Sequence, residues 1–176
     1  MDSKPSVIQL TGSQAVAIRA RVPLGEIATF FDAAFAELEV VAGRQISGPP
    51  FALYYASDEH GLDVAAAIPT WSRVEAVGRV ESIELPAGPA VKVEHVGVYE
   101  ELTTTYALLE QWLAENQRTR GGPRREVYLT MPMAQPSEQI TIVLQPLEPV
   151  PAKVAVPERH IERTTRQELR GAPISK

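Results

Sequence analysis

The chain repeats itself, and this restricts its fold more than any other feature. Ile27, Phe31 and Leu38 fall on Leu102, Tyr106 and Leu113, each 75 positions later. Ala15-Val16-Ala17-Ile18 falls on Ala90-Val91-Lys92-Val93 at the same offset. With the offset reduced by one, Gly48-Pro49 falls on Gly122-Pro123 and Tyr54 falls on Tyr128. Self-similarity at such a period marks a duplicated supersecondary unit whose two copies bury their faces against each other.

Each copy reads in the same order. Residues 7–10 and 15–22 are apolar and rich in β-branched side chains, which predicts two strands with a break at Gly12 and Ser13. Over residues 25–41 the period changes: Ile27, Phe30, Phe31, Ala34 and Leu38 recur at helical spacing with no proline between them. Ser47-Gly48-Pro49-Pro50 is turn-rich, and strands follow at 51–56 and at 62–68, the latter ended by Pro69. The second copy gives strands at 80–85 and 90–96 and a helix over 100–116 striped by Leu102, Tyr106, Leu109 and Leu113. Two further strands are expected at 126–131 and 139–145. The fold expected is α+β: two pseudo-symmetric strand-helix-strand-strand units forming an antiparallel sheet with two helices and a ligand cleft between the halves. Residues 1–148 make one domain, and 149–176 are expected to be a flexible Pro/Arg-rich extension, since prolines and charges replace the apolar pattern there.

Composition removes several functional classes. With 0 cysteines there is no disulfide, no thiolate metal site and no cysteine nucleophile. His60, His95 and His160 show none of the short spacings that metal sites use, so no metal and no cofactor is expected. There is no nucleophile elbow and no Gly-rich phosphate loop. The net charge is -5. Residues 153–176 carry six Lys or Arg against three Glu, or +3, which leaves -8 for the rest. An acidic body is a poor match to phosphates, so no direct nucleic-acid binding is expected. No apolar run approaches the roughly 18 residues of a membrane helix, and residues 1–5 lack a signal-peptide core; a cytoplasmic location is expected.

The segment Gly122-Pro123-Arg124-Arg125-Glu126-Val127-Tyr128-Leu129-Thr130 is the most informative for function. On a strand, Glu126 and Tyr128 share one face, and Val127 and Leu129 the other. If the latter pair faces a core, Glu126 faces either water or a groove. Tyr54, the repeat counterpart of Tyr128, faces the same seam from the other half, with Ala52 opposite Glu126. One negative charge then lies among rings. Tyr106 is on the second helix near the seam, Tyr99 just before that helix, and Trp71 in the linker between the halves. Aromatic faces with a single carboxylate form a receptor for flat or greasy cations. Trp112 and Phe31 are read as core.

The run Gly88-Pro89-Ala90, Gly97-Val98-Tyr99-Glu100-Glu101-Leu102, Tyr106-Ala107-Leu108-Leu109-Glu110-Gln111-Trp112-Leu113, residues 123–128 and Ile140-Thr141-Ile142 resembles the GyrI-like (gyrase-inhibitor-like) effector-binding domain. That small-molecule module occurs in multidrug-sensing bacterial transcription activators and as a free-standing protein. The resemblance covers residues 7–147 and is better in the second half. It implies a cleft between two repeated units, with the pocket glutamate at Glu126 and aromatic walls from Tyr54, Tyr99 and Tyr128, joined by Tyr106 and Trp71. The regulators carry a DNA-binding domain before this module, whereas only about six residues precede the first strand here, so direct activation of transcription is expected only where a partner supplies the DNA-binding part.

Three functions fit these residues. The first is a stand-alone domain that senses or sequesters a hydrophobic, cationic aromatic ligand in drug or toxin resistance. The second is implied by the resemblance: a hydrolase of reactive cyclopropane-type natural products, with Glu126 as general base and Tyr99 or Tyr128 orienting the substrate. The third is a protein-interaction module of gyrase-inhibitor type. A protein partner or a homodimer is compatible with the sequence, although no edge strand is singled out.

Overall fold

The computed structural model describes residues 2–130 and 134–149. The first half contains β1 (Ser6–Leu10), β2 (Ser13–Val22), α1 (Ile27–Ala42), β3 (Phe51–Asp58) and β4 (Gly61–Thr70). The second contains β5 (Glu81–Leu85), β6 (Gly88–Val96), α2 (Leu102–Glu115), β7 (Arg124–Tyr128) and β8 (Ile140–Pro146). Each helix is entered through a short 3-10 turn, Leu24–Glu26 before α1 and Tyr99–Glu101 before α2. The expected α+β architecture is present, with all eight strands in one antiparallel sheet. The expected extension at 149–176 lies, beyond Pro149, outside the described residues.

The strand order is β1-β6-β8-β7-β3-β4-β2-β5. Replacing every strand by its repeat counterpart and reversing the direction gives the same order, so the duplication is a pseudo-twofold of the structure. Its axis passes through the central β3–β7 pair. The first strand of each half is exchanged: β1 pairs with β6, and β5 pairs with β2. In both ladders the partner numbers sum to 98, as in Ser6 with Lys92 and Ser13 with Leu85. Residues 6–17 and 81–92 therefore form one antiparallel ribbon in a common register. This ribbon belongs to both ends of the sheet and ties them together, which is why the sheet curls into a half-barrel.

The two faces of the sheet bury different side chains. Val16, Ile18, Ala66 and Ile68 meet Ala34 and Leu38 of α1, while Val91, Val93 and Val143 meet Leu102, Leu109 and Leu113 of α2. The opposite face packs Ala15, Ala17, Ala65 and Ala67 around Phe51, Leu53 and Leu85. α1 rests on β2 and β4, and α2 on β6. The β3–β7 pair is left as the floor of a cleft between the helices.

Pro69 lies inside β4 and does not end it. Its carbonyl accepts from the Ser47 N–H, and a strand residue's N–H and C=O point to the same side. The missing N–H thus faces away from β2 and costs no ladder bond. β7 is shorter than the run expected over 126–131, ending at Tyr128; Leu129 is exposed, and Met131 lies outside the described residues.

Candidate functional site

β7 brings Arg124, Glu126 and Tyr128 to the helix side of the sheet, and β3 brings Ala52 and Tyr54 to the same side. The register pairs Ala52 with Glu126 and Tyr54 with Arg124, and directly opposed residues share a face. Val127 turns the other way and packs with Phe51 and Leu53. Glu126 therefore faces the cleft, where it is only 2 % exposed.

Its carboxylate is held by phenols. The Tyr106 hydroxyl, from α2, donates to Oε1, and the Tyr128 hydroxyl donates to Oε2 at 3.1 Å. The Tyr54 hydroxyl joins the cluster, interacting with both Glu126 and Tyr128. Burial raises the Glu126 carboxyl above the usual glutamate range, while the Tyr106 hydrogen bond and the nearby Arg124 charge pull it back. Burial and the adjacent Glu126 charge raise the Tyr54, Tyr106 and Tyr128 phenols, which keeps all three protonated as donors.

Rings close the walls. Tyr99 meets Tyr128 edge-on at 5.6 Å between centroids, and Phe35 of α1 meets the same ring edge-on at 6.1 Å. Phe31 lies 6.3 Å from Tyr54 and stacks on Phe35 at 5.7 Å. Four of the expected aromatic residues, Tyr54, Tyr99, Tyr106 and Tyr128, are thus gathered around Glu126. Trp71 is not. It is 75 % exposed and lines a separate depression of about 430 Å³ with Gly12, Ser13, Gln14, Ser47, Thr70 and Glu84. Trp71 follows the last residue of β4 and its N–H donates to the Gln45 carbonyl.

Two members of the cluster were not anticipated, and Phe31 was read as core only. Phe35 follows Phe31 by one helical turn and so falls on the same helix face as the stripe that predicts α1, although it was not counted in it. Arg124 precedes Glu126 by two positions on one strand, and the period-2 rule puts both on the same face. Its guanidinium carbon lies 3.7 Å from the Tyr106 ring centroid and 5.3 Å from that of Tyr54, with Nε 4.0 Å from Glu126 Oε1.

An antiparallel half-barrel with a twofold-related pair of helices and a buried carboxylate in an aromatic cleft defines a class of small-molecule-binding domain. The model of the GyrI-like small molecule binding domain matches residues 3–145, and the chain belongs to that family. Among solved structures, the C-terminal domain of EcmrR superposes with a TM-score of 0.74 at 21% identity, covering 84% of this chain and 98% of that one. EcmrR in a DNA complex gives the same TM-score at 22% identity, and this chain spans 58% of its length. SAV2435 bound to tetraphenylphosphonium has a TM-score of 0.60 at 15% identity, covering 83% and 94% of the two chains. A hydrolase from Listeria innocua also has 0.60, at 16% identity, covering 82% and 91%. Likeness at these identities is one of fold. No curated protein sequence matches the chain.

Proposed function

We propose that the protein binds a hydrophobic aromatic cation in the Glu126 cleft, for sensing or sequestration in drug or toxin resistance. The observation that carries this reading is the Glu126 carboxylate, 2 % exposed and ringed by tyrosines. A carboxylate in such a place is costly unless charge is returned to it, and a cation with aromatic surface returns charge and fills the walls together. The occurrence of tetraphenylphosphonium in SAV2435, a protein of the same fold, agrees with it.

A second reading uses the same group. A glutamate raised by burial can take a proton from water near neutral pH, so Glu126 as general base and Tyr99 or Tyr128 as orienting groups would make a hydrolase of reactive cyclopropane-type compounds. A protein of this fold from Listeria innocua is described as a hydrolase.

Thermal unfolding of wild type and Glu126→Gln against aromatic cations and matched neutral analogues tests the first reading. A ligand that binds only the native state raises Tm by mass action. Stabilisation by cations that disappears in Glu126→Gln supports it, and equal loss for cations and neutral analogues removes it. Turnover that requires Glu126 supports the second.

A further inference from the structure

We infer that Arg124 is a resident cation of the cleft: its guanidinium fills the position over Tyr106 and beside Glu126, and a cationic ligand binds by displacing it. The inference rests on the cation-binding reading of the Glu126 site and specifies how that site is regulated. Three observations lead to it.

The first is position. A guanidinium 3.7 Å from one tyrosine ring centroid and 5.3 Å from another is at cation–π distance from both. With Nε 4.0 Å from Glu126 Oε1, the same group also supplies the nearest positive charge. These are the two attractions an aromatic cation would use, and the protein's own side chain already takes them up.

The second is the manner of attachment. A guanidinium has five N–H donors in a rigid fork and normally locks onto a carboxylate through two of them. Arg124 does not. Among the described residues its Nε is buried without a hydrogen-bond partner, and at 4.0 Å its contact with Glu126 is an ion pair beyond hydrogen-bond range. Ring faces and charge hold the group, and a competing cation can replace both.

The third is access. The Arg124 side chain is 25 % exposed and Glu126 2 %. Arg124 is the first residue of β7, just after Gly121-Gly122-Pro123, so it stands at the end of the floor strand. A long side chain there reaches water by rotating about its own bonds, whereas Glu126 has no such route.

Displacement makes the site selective. A neutral ligand that expels Arg124 leaves Glu126 buried with no compensating charge, whereas a cationic ligand restores it. A small cation such as methylguanidinium gains no more than Arg124 already has. Ligands that carry both charge and several rings are selected.

Calorimetric titration with tetraphenylphosphonium, of wild type, Arg124→Gln, Arg124→Lys and Glu126→Gln, tests this. Removing an internal competitor raises the fraction of competent sites, so Arg124→Gln binds at least about tenfold tighter than wild type. Arg124→Lys, which keeps the charge but not the planar stack, falls between the two. Affinity in Arg124→Gln that is equal to wild type, weaker or undetectable overturns the inference. If Glu126→Gln then still abolishes binding, the cation site stands without Arg124; if binding survives Glu126→Gln, both fall. Should Arg124→Gln fail to fold, wild type answers alone. The Arg124 side-chain protons are ring-shifted by Tyr106 and move to solvent-like values on saturation with tetraphenylphosphonium. Unmoved resonances overturn the proposal.

Discussion

Ala52 and Glu126 lie directly opposite each other across the β3–β7 ladder, and each is also the other's counterpart in the repeat, 126 being 52 plus 74. The pseudo-twofold passes between them. Equivalent positions here share one spot at the centre of the cleft floor, as Gly12 and Ala87 do where the same axis crosses the β1–β2/β5–β6 ribbon. A duplicated glutamate would place two carboxylates on facing Cβ atoms in a buried site. The alanine is what lets one charge stay there. The same asymmetry extends two residues back, where Arg124, the first residue of β7, has as its counterpart Pro50, which precedes β3.

Ala52→Glu tests this relationship. Opposed like charges in a buried pair force one carboxyl to stay protonated and crowd the cleft. The variant is expected to lose roughly 2–4 kcal/mol at pH 8, with part of the loss recovered at pH 4, where both groups are neutral. Chemical denaturation at the two pH values measures it; equal loss at both would leave only the steric part.

Glu126→Gln is expected to stabilise the empty protein. The folded-state pKa of Glu126 lies above its unfolded value because burial penalises the ionised form. Below the unfolded value the group is protonated in both states and contributes no difference. As pH rises through the window between the two values the native state loses stability, and the full penalty applies above the folded value. Glutamine keeps an acceptor for the phenols and carries no charge. Its gain, on the order of 1 kcal/mol or a few degrees in Tm, belongs to pH 7–8 and vanishes near pH 4.

Tyr106→Phe and Tyr99→Phe separate a hydrogen bond from a ring contact. Tyr106 donates to the buried carboxylate, and removing that donor raises Glu126 further and costs about 1–3 kcal/mol at neutral pH. Tyr99 meets the cluster through its ring against Tyr128, which phenylalanine preserves, so the change there stays below about 0.5 kcal/mol. Urea midpoints at pH 7.5 compare the two.

Trp71→Ala is expected to leave cation affinity within about twofold of wild type, because single exposed side chains away from a site contribute little. A larger effect, read by the same titration, would bring the separate depression around Trp71 into the binding site.

The N-terminal end is pinned to the second half. Asp2 Oδ1 lies 2.8 Å from His95 Nδ1, and the Thr105 hydroxyl donates to Asp2 Oδ2 at 2.6 Å. His95 Nε2 meets the Val98 carbonyl at 3.1 Å, just before the turn that carries Tyr99. Asp2→Ala removes the acceptor from two buried groups and is expected to cost about 1–3 kcal/mol. Amide exchange should also quicken across β1 and the start of α2.

Much of this protein follows from local rules that residues obey wherever they are placed. The stripe of Ile27, Phe31 and Leu38 and its copy in Leu102, Tyr106 and Leu113 set two helices, and the alternation at Glu126, Val127 and Tyr128 sets which side of β7 carries the carboxylate. Periods of 3.6 and 2 are properties of the backbone, so the duplication and the face of Glu126 are legible without coordinates. Phe35 and Arg124 obey the same periods and were equally accessible to them. What tertiary structure alone decided is which strands of the two halves pair. The exchange of β1 and β5 depends on long-range pairing, and local pattern is the same whether a strand joins its own half or the other. That exchange curls the sheet, while the separate β3–β7 ladder sets Ala52 opposite Glu126, as the repeat implied. The same pairing puts Arg124 over Tyr106 and leaves Trp71 outside, since distance between side chains on separate elements is fixed by packing and not by spacing along the chain.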